Sequence, residues 1–353
     1  MKLKTGALCA AVSAAAAALI IFPAQSSAGA KNGVDYCLNI LVPSLYPFMV
    51  LSVFVVKSGL AQKAGQYLEN FTRKVFRLPG CAAACLLMSV VGGYPAGARS
   101  IVSLYEDGGI SENQAKQMLC FCVNAGPSFV ITAVGVGFFK STVSGYILFA
   151  SQLIVFIILG IICGAFSKNE SHSTDKKTSK KIPASEALIA SASDAAYSTM
   201  NMCCFVILFA ALMNVLRVFI TSPKLSALFS GLLEVTGGCA DLSRISAPLW
   251  AAAFAIGWGG VCVHFQIYTF VSGIHISRSR FIFFRLLQGV MSAAVSYIFT
   301  LFVPECTETF SNISGETAGM LSCRAPAAAA LIVLCVALLF SMPHEKLEVR
   351  HGR

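Results

Sequence analysis

The chain has 353 residues, of which 56% are hydrophobic and only 12% are charged. Soluble proteins carry about 25% charged residues on average, so this composition excludes a soluble globular fold. The net charge of +10 does not indicate a nucleic-acid-binding protein, because the basic residues stand in short gaps between apolar segments, as in cytoplasmic loops of membrane proteins. The composition therefore predicts an all-α, multi-pass protein of the cell membrane, with the lipid bilayer as its partner.

The N-terminal segment is open to two interpretations. An apolar run extends from Ala7 to Pro23 behind Lys2 and Lys4, and small residues follow it at 26–30. The pattern fits a cleaved signal peptide, and it also fits a retained first helix. Retention is favoured because many apolar segments follow, and residues 1–35 are assigned to an N-terminal transmembrane helix.

Further apolar segments follow along the whole chain. Pro43 and Pro47 lie within the first of them, and two prolines in a helix interior predict a discontinuous helix or a re-entrant hairpin. Scattered cysteines within the apolar segments match no zinc-site spacing, so neither a metal nor a cofactor is predicted. The segments lie at 36–56, 81–98, 118–138, 142–166, 196–220, 246–271, 281–303 and 325–342.

The charges in the gaps predict the topology and the domain boundaries. Basic gaps at 57–77, 167–185 and 277–285 are expected in the cytoplasm, and the acidic gap at 303–322 outside. If every segment crossed the membrane, successive gaps would alternate between the two sides, and not all four gaps would lie on the expected side. Either one segment is therefore re-entrant or one gap violates the positive-inside rule. The polar linker at 167–186 separates a first repeat with its connecting helix from a second repeat. The domains are 36–166, the linker, 187–303, and 304–353 with the acidic loop, last helix and tail.

The densest motif is Gly-Gly-Tyr-Pro-Ala-Gly-Ala-Arg, which begins at Gly92 and ends at Arg99. Three glycines and a proline do not sustain a regular helix, and broken helix ends carry unpaired backbone groups and partial charge. Transporters bind anionic groups at such ends. Gly93, Tyr94 and Gly97 are therefore candidate binding residues, with Arg99 as counter-charge. The alternative is a span that ends in a turn, with Arg99 at the membrane interface.

A second motif, Gly-Trp-Gly-Gly-Val-Cys-Val-His-Phe-Gln, occupies residues 257–266. Polar residues deep in a membrane segment indicate function by default. The motif therefore adds Gly259, Gly260, His264 and Gln266 to the candidate binding residues. The alternative is a glycine face for helix packing, with His264 bonded to a neighbouring carbonyl.

The two glycine motifs also suggest an internal repeat. Residues 93–111 align without gaps on 259–277, with 4 of 19 positions identical. A duplicated unit with breaks at the membrane midplane is typical of secondary transporters. We therefore predict two inverted repeats, about 36–138 and 196–303, with discontinuous helices and re-entrant hairpins.

Two further clusters interrupt the apolar pattern. Asn124, Pro127 and Ser128 lie in one segment, where a proline frees a carbonyl that Asn124, Ser128 or a ligand can satisfy. Asn124 and Ser128 are therefore candidate binding residues. Glu234 precedes Gly237 in the second half and is a candidate site for a coupling ion, the alternative being an interfacial helix end.

Five short motifs in series resemble the YlbJ-type sporulation integral membrane proteins, which carry the nucleoside-recognition, or Gate, domain. The resemblance implies a helical fold with inverted repeats, similar to concentrative nucleoside transporters. It also implies a role in endospore formation, in the outer forespore membrane, with dipicolinate as cargo. The motifs are residues 43–48, 93–98, 124–129 and 231–234, and 259–260 with Gln266.

The expected function is membrane transport of a small anionic or aromatic solute, with dipicolinate as the implied cargo. Two alternatives stay open: a non-transporting structural or assembly protein of the spore envelope, and a nucleoside transporter. An enzyme is not expected, because the catalytic motifs H-E-x-x-H and G-x-S-x-G are absent from the sequence. Assembly into a homo-oligomer also stays open. The polar side chains predicted around one central cavity are Ser44, Tyr94, Asn124, Ser128, His264 and Gln266.

Overall fold

The computed structural model describes residues 13–166, 183–271 and 273–303, and these residues form helices and short connections without a strand. The predicted all-α fold is confirmed. The predicted segment 325–342 and acidic gap 303–322 lie outside the described residues, except for Val303. The helices are α1 (Ser13–Ile21), α2 (Pro23–Tyr36), α3 (Val42–Lys57), α4 (Leu60–Phe76), α5 (Ala82–Val91), α6 (Gly93–Glu106), α7 (Glu112–Leu119), a π-helix (Ser128–Phe138), α8 (Thr142–Ala165), α9 (Ala184–Leu216), α10 (Pro223–Leu233), α11 (Val235–Arg244), α12 (Leu249–Trp258), α13 (Gly260–Phe270) and α14 (Arg278–Phe302).

Four helical stretches of the described chain are long and apolar enough to cross a membrane. They are α8, α9, the consecutive pair α12–α13, and α14, with 24, 33, 22 and 25 residues. About 20 residues suffice for a hydrocarbon core of ~30 Å. A fifth candidate combines α1 with the helix that follows it, but the two are bent by 100° at their junction.

Pro43 and Pro47 do not divide the first predicted segment. A π-helical turn at Cys37–Leu41 joins α2 to α3, and Pro47 lies inside α3. The backbone N–H of Val42 donates to the Cys37 carbonyl, and such a wider turn accommodates proline without breaking the helix. Neither the predicted discontinuous helix nor the hairpin forms at Pro43 and Pro47. The helical run also passes through the domain boundary at 35/36, which stays a prediction.

Two helical hairpins are present instead, and each ends at a tip inside the protein. In the first, α5 and α6 return antiparallel, with the Cys85 thiol 3.2 Å from the Ser100 carbonyl oxygen. In the second, α10 and α11 meet so closely that a Cβ atom on Gly238 would overlap the Gly231 Cα. Small residues on the facing sides allow both close approaches.

The hairpins begin at opposite ends of the helix bundle. The base of the first lies where the Cys81 thiol is 3.3 Å from the Gly109 carbonyl oxygen, at the end that also carries the basic residues of α4. The base of the second lies at the other end, where the Ser243 hydroxyl donates to the Phe138 carbonyl at 2.8 Å. Opposite entry is the relation expected of inverted repeats, whose superposition stays a prediction.

The order of elements corrects the proposed alignment of Gly93 with Gly259. Gly93 stands at a hairpin tip, whereas Gly259 stands between α12 and α13. In each half, a hairpin is followed by an interrupted helix and then by a long helix. By this order α5–α6 corresponds to α10–α11, and α8 corresponds to α14. The hairpin around Gly93 therefore corresponds to the one around Glu234.

A re-entrant hairpin removes the conflict in the predicted topology. Because α5–α6 returns to its own end, the loop at 107–111 lies on the same side as the gap at 57–77. The backbone N–H of His275 donates to Glu112 at 3.1 Å, which places the gap at 271–277 at that end as well. The basic gap at 57–77 and residues 273–277, which lead into the predicted basic gap at 277–285, thus share one end of the bundle, as the positive-inside rule requires.

Candidate solute-binding site

The tip of the first hairpin is built from two glycines. Gly92 caps the C-terminal end of α5, and α6 starts at Gly93 with φ of +82°. A Cβ atom on Gly93 would lie 3.3 Å from the backbone nitrogen of Gly126. A side chain at Gly93 would therefore meet both backbone strain and the interrupted segment that precedes the π-helix.

The tip of the second hairpin is Glu234, which is 4% exposed. Its carboxylate caps α11 by accepting hydrogen bonds from the backbone N–H groups of Thr236 at 2.7 Å and Gly237 at 2.6 Å. Gly260 packs against this tip, since a Cβ atom on it would lie 3.1 Å from the Glu234 Cα. Glu234 is thus a buried helix cap at a hairpin tip rather than an interfacial residue.

A cavity of about 30 Å³ lies between the two tips. It has room for roughly two water molecules. Its lining is mostly apolar, and its ionisable side chains are Glu234 and Tyr94. The lining residues include Leu41, Leu45, Met49, Gly92, Gly93, Tyr94, Pro95, Gly126, Phe129, Met202, Val206, Glu234, Val235, Thr236, Val263 and Gln266. A cavity of this size is too small for an aromatic solute, so such a solute can be bound here only when a tip moves.

The structure brings some of the predicted residues to this cavity. Gly93, Tyr94, Gln266 and Glu234 line it. Gly260 adjoins it through Glu234, and Gly259 through Tyr94, whose ring carbon Cε1 would lie 3.6 Å from a Cβ atom on Gly259.

Other predicted residues lie outside the lining. Gly97 is inside α6, where a Cβ atom would overlap the Cys122 carbonyl oxygen, so its small size serves the packing of the hairpin. Ser128 is buried at the start of the π-helix. Ser44 lies on α3, and its side chain is not among those the structure describes.

Arg99 does not face the cavity. Its guanidinium donates to the Ser198 hydroxyl at 2.6 Å and lies 3.7 Å from the Asp194 carboxylate. It also stands over the Phe270 ring, 5.5 Å from the centroid, and its side chain is 30% exposed. The predicted counter-charge is therefore part of an ion-pair cluster on α9, which Lys57 completes at 2.8 Å from Asp194.

Asn124 belongs to a buried polar network behind the cavity. Its amide donates to the Ser89 hydroxyl at 2.8 Å, and its Oδ1 accepts from Gln288 at 2.5 Å. Gln288 also donates to Gln152 at 3.4 Å, and Gln152 donates to the Ala253 carbonyl at 3.1 Å. The network thus joins α8 of the first half to α12 and α14 of the second.

Arg285 is a functional candidate that the sequence motifs did not indicate. It was counted among the bases of the cytoplasmic gap at 277–285, but it is the eighth residue of α14 and is fully buried, at 0% exposure. The signal that could have found it is the spacing on α14, where Arg285, Gln288, Ser292 and Ser296 share one helix face. All four are fully buried.

His264 lies next to this network rather than in the cavity. Its ring stands edge-on to Trp258, with centroids 4.3 Å apart, and to Phe281 at 5.5 Å. It is 4% exposed, and its Nε2 atom has no hydrogen-bond partner among the described residues. The predicted residues therefore divide between the cavity and a polar layer behind it, instead of surrounding a single space.

Comparisons with known proteins agree with the motif-based resemblance. Residues 38–167 match the sequence model of a family described as Gate, nucleoside recognition. The chain is 27% identical over 318 residues to the sporulation integral membrane protein YlbJ of Bacillus subtilis (strain 168), an alignment that covers 78% of each protein. No solved structure matches the chain. The resemblance is confirmed, and the chain is an integral membrane protein.

Proposed function

We propose that this chain, which carries a Gate domain and is similar to YlbJ, is a membrane transporter of a small aromatic or anionic solute. The observation that carries the proposal is the meeting of two hairpin tips, one from each end of the bundle, at one small cavity. A solute can reach such a cavity from one side when the first tip moves and from the other side when the second tip moves.

The cargo proposed is dipicolinate, during endospore formation, in the outer forespore membrane. Support comes from the resemblance and from the word sporulation in the name of the relative. The cavity adds the flat side chains of Tyr94 and Phe129 and the amide of Gln266. An aromatic ring and a hydrogen-bond donor suit a planar, carboxylate-bearing solute.

One feature of the cavity favours a second candidate, a nucleoside. Glu234 lines the cavity, and a carboxylate accepts hydrogen bonds from the hydroxyl groups of a sugar but repels a dianion. The description of the matched family, nucleoside recognition, points the same way. The two cargoes therefore differ in what they require of Glu234.

Uptake into liposomes that contain the purified full-length chain separates the candidates. The probes are radiolabelled dipicolinate, uridine and adenosine, with protein-free liposomes as background. We expect dipicolinate uptake above background and little uptake of the nucleosides. Absence of uptake for all three would contradict the transporter proposal and favour a structural role in the spore envelope.

The Glu234→Gln variant sharpens the comparison. The single glutamine oxygen can accept from Thr236 or from Gly237, so the variant keeps one of the two capping hydrogen bonds while the charge is lost. We expect dipicolinate uptake to be retained or increased, because a repulsive charge is removed. Strong loss of nucleoside uptake by the same variant would instead identify a nucleoside transporter.

A further inference from the structure

Arg285 is a fully buried cation without an acidic partner in the described part of the chain. No ion pair between described residues includes it, although Arg99, Arg217 and Arg244 each pair with a carboxylate. Burial of an unpaired charge in a membrane segment is costly, and such residues mark functional sites. Because Arg285 has no acidic partner among the described residues, its charge is expected to serve the function of the protein.

The hydrogen bonds of Arg285 are incomplete as well. Its Nη1 donates to the Val123 carbonyl and its Nη2 to the Gln288 side chain. Its Nε atom has no partner among the described residues. The guanidinium is thus bound by neutral acceptors only. Its Nε–H, one of the donors with which an arginine can bind a carboxylate through two parallel hydrogen bonds, is unused.

Tyr94 connects the cavity with α12, the helix that packs against α14, on which Arg285 lies. Its ring lines the cavity, and its hydroxyl donates to the Ile256 carbonyl at 2.5 Å. A Cβ atom on Gly257, the residue after Ile256, would lie 2.9 Å from the Gln288 carbonyl oxygen, so Tyr94 contacts α12 next to the part of α14 that carries Arg285. Because Tyr94 is the second residue of α6, displacement of the first hairpin tip would carry its ring away from this position.

Neighbouring polar groups complete the environment of an anion. Asn124 and Gln288 offer side-chain amides, and His264 has a free ring nitrogen near the same Phe281 ring over which the Arg285 guanidinium lies, at 6.0 Å. These groups come from the interrupted segment before the π-helix, from α14 and from α13. They can orient a carboxylate once it reaches the guanidinium.

We infer that Arg285 is the anion-binding residue of this protein and binds a carboxylate of the solute. The carboxylate replaces the Gln288 oxygen and the Val123 carbonyl as acceptor when the first hairpin tip moves. The inference deepens the proposed function, on which it rests, by naming the residue that selects an anionic cargo. It also explains why none of the described residues that line the small cavity is basic.

Binding by the purified full-length chain tests the inference independently of transport. The probes are dipicolinate, picolinate and the uncharged pyridine-2,6-dicarboxamide, and affinity is measured by isothermal titration calorimetry in detergent. We expect the wild type to bind dipicolinate most tightly and the diamide at least about tenfold more weakly, because a charge-assisted hydrogen bond exceeds a neutral one. Equal affinity for the diamide would overturn the inference.

Variants then assign the binding to Arg285. Arg285→Gln is expected to lose at least about tenfold in dipicolinate affinity, with little change for the diamide. The matched control is Arg278→Gln, which removes an exposed arginine from the same helix and is expected to bind as the wild type does. Retained affinity in Arg285→Gln would overturn the inference.

Gln288→Glu keeps the test decisive if Arg285→Gln does not fold. The new carboxylate would supply Arg285 with a permanent internal partner, in place of the hydrogen bonds that the Gln288 amide donates to Asn124 and Gln152, and should abolish dipicolinate binding by competition. If Arg285 were purely structural, the folded variant would keep its affinity for dipicolinate, which would overturn the inference.

The inference and the proposed function fail in different ways. If dipicolinate binds through Arg285 but does not enter liposomes, the transporter proposal fails and the anion site stands. If uptake occurs and Arg285→Gln transports and binds dipicolinate as the wild type does, the transporter proposal stands and the anion site fails.

Discussion

Gly260 lies directly against the backbone of Glu234, so close that a Cβ atom on the glycine would stand 2.9 Å from the Leu233 carbonyl oxygen and 3.1 Å from the Glu234 nitrogen. The start of α13 and the tip of the second hairpin thus fit together only because no side chain lies between them. The same holds for Gly93 and Gly126 in the first half, where a Cβ atom would lie 3.3 Å from the facing nitrogen.

Gly260→Ala is therefore expected to abolish or strongly reduce uptake while the protein still inserts in the membrane. The substitution adds the strain of a positive φ, +75° in the wild type, to a contact with the hairpin tip. The matched control is Gly108→Ala, where φ is +71° but nothing lies within 4 Å of the added carbon. Uptake that falls equally in both variants would show that strain alone, rather than the contact at the tip, is responsible.

Tyr94→Phe is expected to weaken the closed arrangement. It removes the hydrogen bond to the Ile256 carbonyl and should lower the free energy of unfolding by about 1 kcal/mol. Initial uptake should become faster, because the tip is released more easily. Thermal unfolding and stopped-flow uptake measure the two effects, with Tyr105→Phe on the same helix as control. An unchanged melting temperature together with unchanged uptake would contradict this role of Tyr94.

Glu112 is expected to make the contact between α7 and the 271–277 gap dependent on pH. The hydrogen bond from Lys116 and then the one from the His275 backbone lower the pKa of Glu112 below its usual value of 4.5. A group with a lowered pKa contributes stability above its ordinary pKa, and that contribution is lost as pH falls through the lowered value.

Hydrogen exchange of the His275 amide should thus be slow near neutral pH and should accelerate, relative to the intrinsic rate, once Glu112 is protonated. Glu112→Gln should remove this pH dependence, whereas Glu106→Gln, at an exposed carboxylate at the end of α6, should keep it. A His275 amide whose protection is the same in both variants would rule out the assignment.

The entry of the two hairpins from opposite ends predicts the sidedness of four exposed positions. Gly108→Cys and Gly273→Cys should react with a membrane-impermeant maleimide from the cytoplasmic side, and Lys140→Cys and Lys224→Cys from the other. Labelling of intact and inverted vesicles measures this, with the unsubstituted protein as background for native cysteines such as the exposed Cys204. If all four reacted from one side, the inverted arrangement would be wrong.

The sequence predicted where helices are interrupted, but it did not predict whether the chain reverses direction at these places or continues. Gly92, Gly93 and Gly259 were identified because glycine favours positive φ and weakens helices, and both interruptions are present. The second hairpin was not predicted as a hairpin, because α10 and α11 have 11 and 10 residues, too few to produce a transmembrane signal. At Pro43 and Pro47 the sequence predicted an interruption that is not present, because the neighbouring π-helical turn accommodates the prolines within a continuous helical run.

The charged residues show what a linear pattern leaves undecided. Arg99 follows a glycine motif and was assigned to the cavity, yet it extends sideways to Asp194 on α9. Arg285 follows two other arginines and was assigned to a loop, yet the first turns of α14 carry it into the interior. The direction in which a side chain points depends on how its helix is rotated about its own axis relative to the helices that pack against it. Those helices are far away in sequence, so the residues around Arg99 and Arg285 do not determine this rotation.

The two tips are chemically unequal, although the halves share one order of elements. The first closes by backbone contact between Gly93 and Gly126, whereas the second holds a carboxylate that is bonded into the start of α11. Separation of the first tip breaks the Tyr94 hydrogen bond to the Ile256 carbonyl and otherwise only weak packing contacts, whereas the second tip can shift only as a unit with its helix. We expect the first to be the leading moving part, so that the resting protein opens more readily to the cytoplasm than to the opposite compartment.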